Sequence, residues 1–175
     1  LAPDPTSKYD VWIATSNASS IQAAKVELRF ISIKTGLDIM APQTEDVEVQ
    51  LNGTTLVREN VTIDNPPTLE AFVLLATLSI NGEVVSRDAD WPQPFKYLSF
   101  KENRGLAITL SKTRDTIAIT AQKPVKGLVF AERPGLSFSD NGLDILPGLE
   151  YTIHTNGLKE NEELEWMFLG ASESH

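Results

Sequence analysis

In residues 25–30, KVELRF, apolar and charged side chains take strict turns: Val26, Leu28 and Phe30 against Lys25, Glu27 and Arg29. A period of two puts every second side chain on one face, so such a run folds as a half-buried strand and not as a helix. The pattern recurs in DVEVQL, where Val47, Val49 and Leu51 alternate with Asp46, Glu48 and Gln50. Phe72, Leu74, Ala76, Leu78 and Ile80 share a face in the next run. Later come Leu106/Ile108/Leu110, Ile117/Ile119, Leu128/Phe130, Tyr151/Ile153 and Leu164/Trp166/Phe168. Short strands recurring about every ten residues, with turn signals between them, predict an all-β chain of β-sandwiches. Asn81-Gly82 reads as a two-residue hairpin turn and Asn52-Gly53 as a second. Helix is nearly absent, and the polar run Lys159–Glu165 reads as a loop into the last strand.

The stretch DADWPQPFKYLSF suggests a boundary. Pro92 and Pro94 each remove a ladder donor, so the segment reads as an edge strand or a connector. The expected organisation is one sandwich over residues 1–99 and a smaller one over 100–175. Trp91, Phe95 and Tyr97 are then available to pack at the junction or to stack on sugar rings. A domain as small as the second buries only ~60–65% of its unfolded surface, so it is expected to lean on a neighbour.

Most chemistries are excluded by residue type. A net charge of −9 argues against nucleic acid and anionic membrane surfaces, because phosphate binding needs clustered Lys and Arg. The one basic cluster, Lys123-Pro-Val-Lys126, is too small and reads as a solvated strand start. The longest apolar stretch, Phe72 to Ile80, falls far short of the ~20 residues of a spanning helix. LAPDPTSKYD has no basic start followed by an apolar run, as expected of a cytosolic chain or of a mature product without its leader. With no cysteine there is no disulfide, thiolate metal site or cysteine nucleophile. Gly135–Ser139, GLSFS, lacks the final glycine of a serine-hydrolase elbow. His154 lies opposite the apolar face of YTIHT and His175 at the C-terminus; neither has a ligand at metal spacing. No phosphate-cradling loop or dinucleotide fingerprint is present. The chain is therefore expected to carry no catalytic residue, no metal and no cofactor.

Paired carboxylates remain the one chemistry that the residue types allow, because glycoside hydrolysis needs two of them in a cleft. The run KENEELE at 159–165 offers Glu160, Glu162, Glu163 and Glu165, at a density expected of a solvated loop. In SFSDNGLDILPG, Asp140, Asn141 and Asp144 lie among Gly142 and Pro147-Gly148. Asp and Asn bond their own backbone and tolerate left-handed geometry, so this reads as a structural corner and not as a catalytic or calcium site. Three N-glycosylation sequons, at Asn17, Asn52 and Asn60, all fall in the first half and point to a secreted eukaryotic protein; Asn52, in a turn, is the first candidate.

YDVWIATSN, VELRFISIKTG, VVSRDADWPQPFKYL, KPVKGLVF and SDNGLDILPG occur in an order that resembles the C-terminal region of secreted fungal β-mannosidases of glycoside hydrolase family 2. The resemblance implies two tandem Ig-like β-sandwich domains. It also implies a parent that removes terminal non-reducing β-D-mannose with retention, using two glutamates on a (β/α)₈ barrel. No position here matches either glutamate motif. The implied partners are that barrel and the remaining domains, with β-mannoside met only through the parent. Alternatives are a stand-alone carbohydrate-binding or adhesion-type Ig-like module, and a parent of sister specificity such as an exo-acting glucosaminidase.

Overall fold

The computed structural model describes residues 8–16, 21–50, 52–62, 70–100 and 103–171. Backbone proximity divides the chain into two units, Leu1–Lys34 with Asp38–Tyr97, and Thr35–Leu37 with Leu98–His175.

In the first unit the alternating runs become the four-stranded antiparallel sheet β3-β2-β5-β6: β2 Ile21–Ser32, β3 Gln43–Val49, β5 Phe72–Ile80 and β6 Glu83–Asp90. Register follows the pattern, with Val26 opposite Leu78 and Phe30 opposite Leu74. The hairpin between β5 and β6 turns on Asn81 and Gly82, both at positive φ (52° and 85°), as a two-residue turn requires. Facing this sheet is a pair that the alternation does not single out, β1 Tyr9–Thr15 with β4 Gly53–Val61. Ile13 and Val61 join Val26, Leu28, Phe30, Val49, Phe72 and Leu74 in one apolar core. β5 is richer than a one-faced strand: at its start Val73 and Leu75 are buried as well as Phe72 and Leu74. The proline segment that follows β6 is irregular, ending in a 3₁₀ turn at Phe95–Tyr97.

The second unit has a four-stranded sheet, β10-β12-β8-β7, and a three-stranded sheet, β11-β9-β13. Its strands are β7 Ala107–Leu110, β8 Thr116–Thr120, β9 Val125–Phe130, β10 Ser137–Phe138, β11 Leu143–Ile145, β12 Tyr151–Asn156 and β13 Trp166–Met167. Ile117, Ile119, Val125, Leu128, Phe130, Ile145 and Ile153 fill the space between the sheets. Residues 159–165 form turns and coil without helix, as their polarity predicts.

Candidate functional site

The acidic-amide cluster of the second unit is spent on the backbone. Asn141 Oδ1 accepts the Phe130 N–H at 2.7 Å, and Asn141 Nδ2 donates to the Phe130 carbonyl at 3.0 Å. One side chain thus imitates a strand partner for the end of β9. Asp140 Oδ1 caps the Asn141 N–H at 2.8 Å. Asp144 lies on β11, where its two oxygens take the Gly127 N–H at 3.0 Å and the Lys126 ammonium at 2.7 Å. These oxygens face donors within the unit and do not converge on a cleft. Lys126 is accordingly a half-buried ion-pair partner and not merely a solvated strand start. Asn141→Ala is expected to cost about 2 kcal/mol, because it strips both partners from a half-buried peptide group. The midpoint of urea unfolding measures it, and Asn141→Asp, which keeps only the acceptor, should fall between.

Within KENEELE only Glu162 is strongly engaged. It accepts the Lys159 N–H at 3.0 Å and pairs with Arg133 at 2.8 Å. The Lys159 amide, and then Arg133, hold its carboxyl below the ordinary 4.5. Asp115, in the loop from β7 to β8, is likewise held below 3.8 by the hydroxyls of Thr113 and Ser111, with Thr116 adding to them. A lowered folded pKa means that the contribution to stability is complete above the ordinary value and fades as pH falls through the lower one. The stability gap between the native chain and the double variant Asp115→Asn/Glu162→Gln should therefore close below about pH 4 in thermal melts. A gap that persists to pH 2 would contradict this. Both groups are braces of loops.

His154 is exposed on β12, where its backbone N–H donates to Ser139 Oγ at 2.9 Å. Gly135–Ser139 enters β10 through a bridge between Arg133 and Leu136.

The three aromatics of the proline segment divide by exposure. Trp91 is buried (9% exposed) and meets the Phe95 ring edge-on at 6.1 Å. Phe95 and Tyr97 are 41% and 48% exposed, and the Lys96 ammonium lies 4.8 Å from the centre of the Tyr97 ring. The buried Gln93 side chain accepts the Phe72 N–H at 3.3 Å, tying the segment to the start of β5. Of the sequon residues, Asn52 and Asn60 are exposed on the turn into β4 and near its end, both with left-handed backbone (φ 42° and 54°). The Asn60 N–H donates to Asp10 Oδ1 at 2.9 Å. Asn17 and His175 lie outside the described residues.

Sequence reasoning missed a concave feature of the first unit. A cavity of about 150 Å³ opens beside β1, lined by Val11–Ala14 of β1, Val26 of β2, Ala76 and Leu78 of β5, and Ser86–Asp88 of β6. Trp12 at its wall is 55% exposed. The run of three apolar residues Val11-Trp12-Ile13 was the available signal: a strand apolar on both faces has something to cover on each.

Antiparallel sheets closed face to face over a single core, in each of two units, define an all-β protein of the Ig-like sandwich class. Residues 7–97 match the Mannosidase Ig/CBM-like domain family, more than half of the chain, and the chain belongs to that family. It is 44% identical over 172 residues to β-mannosidase B of Aspergillus niger, 46% over 173 to that of Aspergillus oryzae and 47% over 173 to that of Emericella nidulans. Each match covers 96% of this chain but 20% of the relative, so the chain spans about a fifth of the length of these proteins. Among solved structures the fold is shared with a β-D-mannosidase from Dictyoglomus thermophilum, at TM-score 0.73 and 14% identity over 93% of this chain and 20% of that one. The Amycolatopsis orientalis exo-chitosanase shares it at TM-score 0.62 and 12% identity, over 95% and 25%.

Proposed function

We propose that this chain is the non-catalytic, architectural part of a β-mannosidase whose catalytic residues lie on other stretches of polypeptide. The observation that carries it is the match to three β-mannosidases along 96% of the chain and only a fifth of each relative. The fate of the acidic clusters supports it, since Asp140, Asn141, Asp144 and Glu162 brace loops and strand ends. On this reading the chain is two domains, 1–99 and 100–175, that pack against the catalytic barrel and the other domains of the parent. β-Mannoside is handled by the parent, by hydrolysis of terminal non-reducing residues with retention. The purified chain is expected to give no turnover of p-nitrophenyl β-D-mannoside, while the full-length polypeptide hydrolyses it. Turnover by the 175 residues alone, at a rate that survives further purification, refutes the proposal.

One observation favours a second reading, a carbohydrate-binding module: Phe95 and Tyr97 present exposed rings. Trp91 is buried, so Trp91→Ala reports on packing, and the informative variants are Phe95→Ala and Tyr97→Ala. Calorimetric binding of mannohexaose that both variants abolish would establish the module. Secretion is part of the proposal and rests on the sequons. Expression in a secreting fungal host should give a mass shift on glycosidase treatment that Asn52→Gln reduces.

A further inference from the structure

We propose that the outer face of the three-stranded sheet in the second unit is a docking surface, covered by an apolar surface on the part of the longer polypeptide outside these 175 residues. The inference rests on the reading that this chain is one part of a longer β-mannosidase.

The two outer faces of this unit differ in kind. β9 and β13 pair with Phe130 opposite Trp166 and Val129 opposite Met167. Phe130 lies in the core, and Trp166 and Phe168 pack against that core with their rings stacked at 6.2 Å. Neighbours in a strand point to opposite faces, so Val129 and Met167 turn outward. Leu169, two residues past Met167, is held beside β9 by its N–H, which donates to the Lys126 carbonyl at 3.0 Å. All three side chains are exposed, Met167 at 51%. Gly127 lies two residues before Val129, and a Cβ placed on it would meet nothing within 4 Å. The charges nearby, Lys126 and Asp144, bond each other at 2.7 Å. The opposite outer face, on the four-stranded sheet, carries Thr109, Thr116, Thr120, Thr152 and His154 with two alanines, Ala107 and Ala118. An antiparallel sheet that faces water is polar on that side. The four-stranded sheet keeps to this rule and the three-stranded one breaks it.

The occupant follows from the size of the patch and the length of the relatives. Interfaces between separate proteins engage about 20–30 residues a side. Three aliphatic side chains around a bare glycine fall far short of that, so they do not hold a free partner or a second copy by themselves. A tethered neighbour needs less, because the tether sets an effective concentration of about millimolar order in place of the bulk one. The relatives carry such a neighbour: the shared stretch is 20% of each, and about four-fifths of the polypeptide remains to supply it. The three outward side chains offer a sugar neither a ring to stack on nor a hydroxyl or amide to bond. A net charge of −9 sets the chain against anionic lipid. What fits is an uncharged apolar protein surface, to which the unbranched Met167 side chain can mould.

Oxidation of Met167 by hydrogen peroxide tests this, read from the mass of its tryptic peptide in the full-length polypeptide and in the 175-residue chain, with a methionine peptide added as calibrant. An exposed thioether goes to the sulfoxide and a covered one is spared. Met167 should oxidise roughly tenfold more slowly in the full-length protein, whatever the protein concentration. Leu169→Glu sets a charge inside the contact; it should speed Met167 oxidation about fivefold in the full-length protein and leave the rate in the short chain unchanged. Equal Met167 rates in the two unsubstituted proteins overturn the proposal, as does a full-length Leu169→Glu protein that still spares Met167. So does protection that grows with concentration, which marks a second copy, or that appears in the short chain on adding mannohexaose, which marks a sugar site. Hydrolysis of p-nitrophenyl β-D-mannoside is read separately on the full-length protein. Its failure would remove the assigned activity and leave the docking face to be judged on oxidation alone.

Discussion

Phe30→Ala is expected to destabilise the first unit by about 3–5 kcal/mol, the range for removing a fully buried aromatic side chain. Phe30 is fully buried near the C-terminal end of β2, opposite Leu74. Its ring meets Phe72 at 5.7 Å, and Phe72 meets Tyr9 edge-on at 6.5 Å, so three strands from the two facing sheets share one aromatic contact. Truncation loses the transfer energy of the ring and opens a void between sheets that are themselves anchored by backbone ladders and collapse poorly. A unit of this size has a total stability of about 5–14 kcal/mol, so the loss is a large fraction of it. Each kcal/mol lowers the melting temperature of a domain this small by about 4–8 °C, and the expected shift exceeds about 12 °C. Val84→Ala is the control. Val84 is exposed on β6 and should change stability by no more than about 0.5 kcal/mol. Equal shifts for the two would mean that the core is not where the alternation puts it.

That alternation was legible because the large sheet of the first unit has one face on a core. Lys25, Glu27 and Arg29 against Val26, Leu28 and Phe30 leave no other period available. β1 and β4 escaped for physical reasons. β1 carries Trp12 on the side away from the core, which erases the polar half of the pattern, and its pairing with β4 shifts register between Tyr9 and Trp12. β4 buries Thr55, a polar residue whose hydroxyl accepts the Gln50 N–H at 2.9 Å. The corner at Asp140–Asp144 was legible as turn chemistry. Its particular partners were not, because Asn141 reaches back eleven residues to Phe130, and nothing in either stretch announces the pairing.

The same limit hides Arg104, which in sequence is one charge in a polar stretch, KENRG. In the fold it is 2% exposed, and its guanidinium donates to the Pro124 carbonyl twice, from Nε at 3.0 Å and from Nη2 at 2.6 Å. Its own carbonyl accepts the Gln122 and Lys123 N–H groups at 3.0 and 2.9 Å. The Phe100 ring lies 5.4 Å from the guanidinium carbon, within cation–π reach. Arg104 thus clasps the entry to β9 by satisfying the buried carbonyl of Pro124. Arg104→Ala is expected to cost about 3 kcal/mol: charge-assisted hydrogen bonds are lost, a buried carbonyl loses its donors, and the space is left unfilled. Arg104→Lys is the discriminating variant. It keeps the charge and most of the stem, but one ammonium replaces the planar fork, so about half the loss should remain. Urea unfolding, with hydrogen exchange of β8 and β9 to localise the effect, measures both. If lysine restores full stability, the charge and not the fork holds the clasp; if it is as damaging as alanine, the planar geometry accounts for all of it.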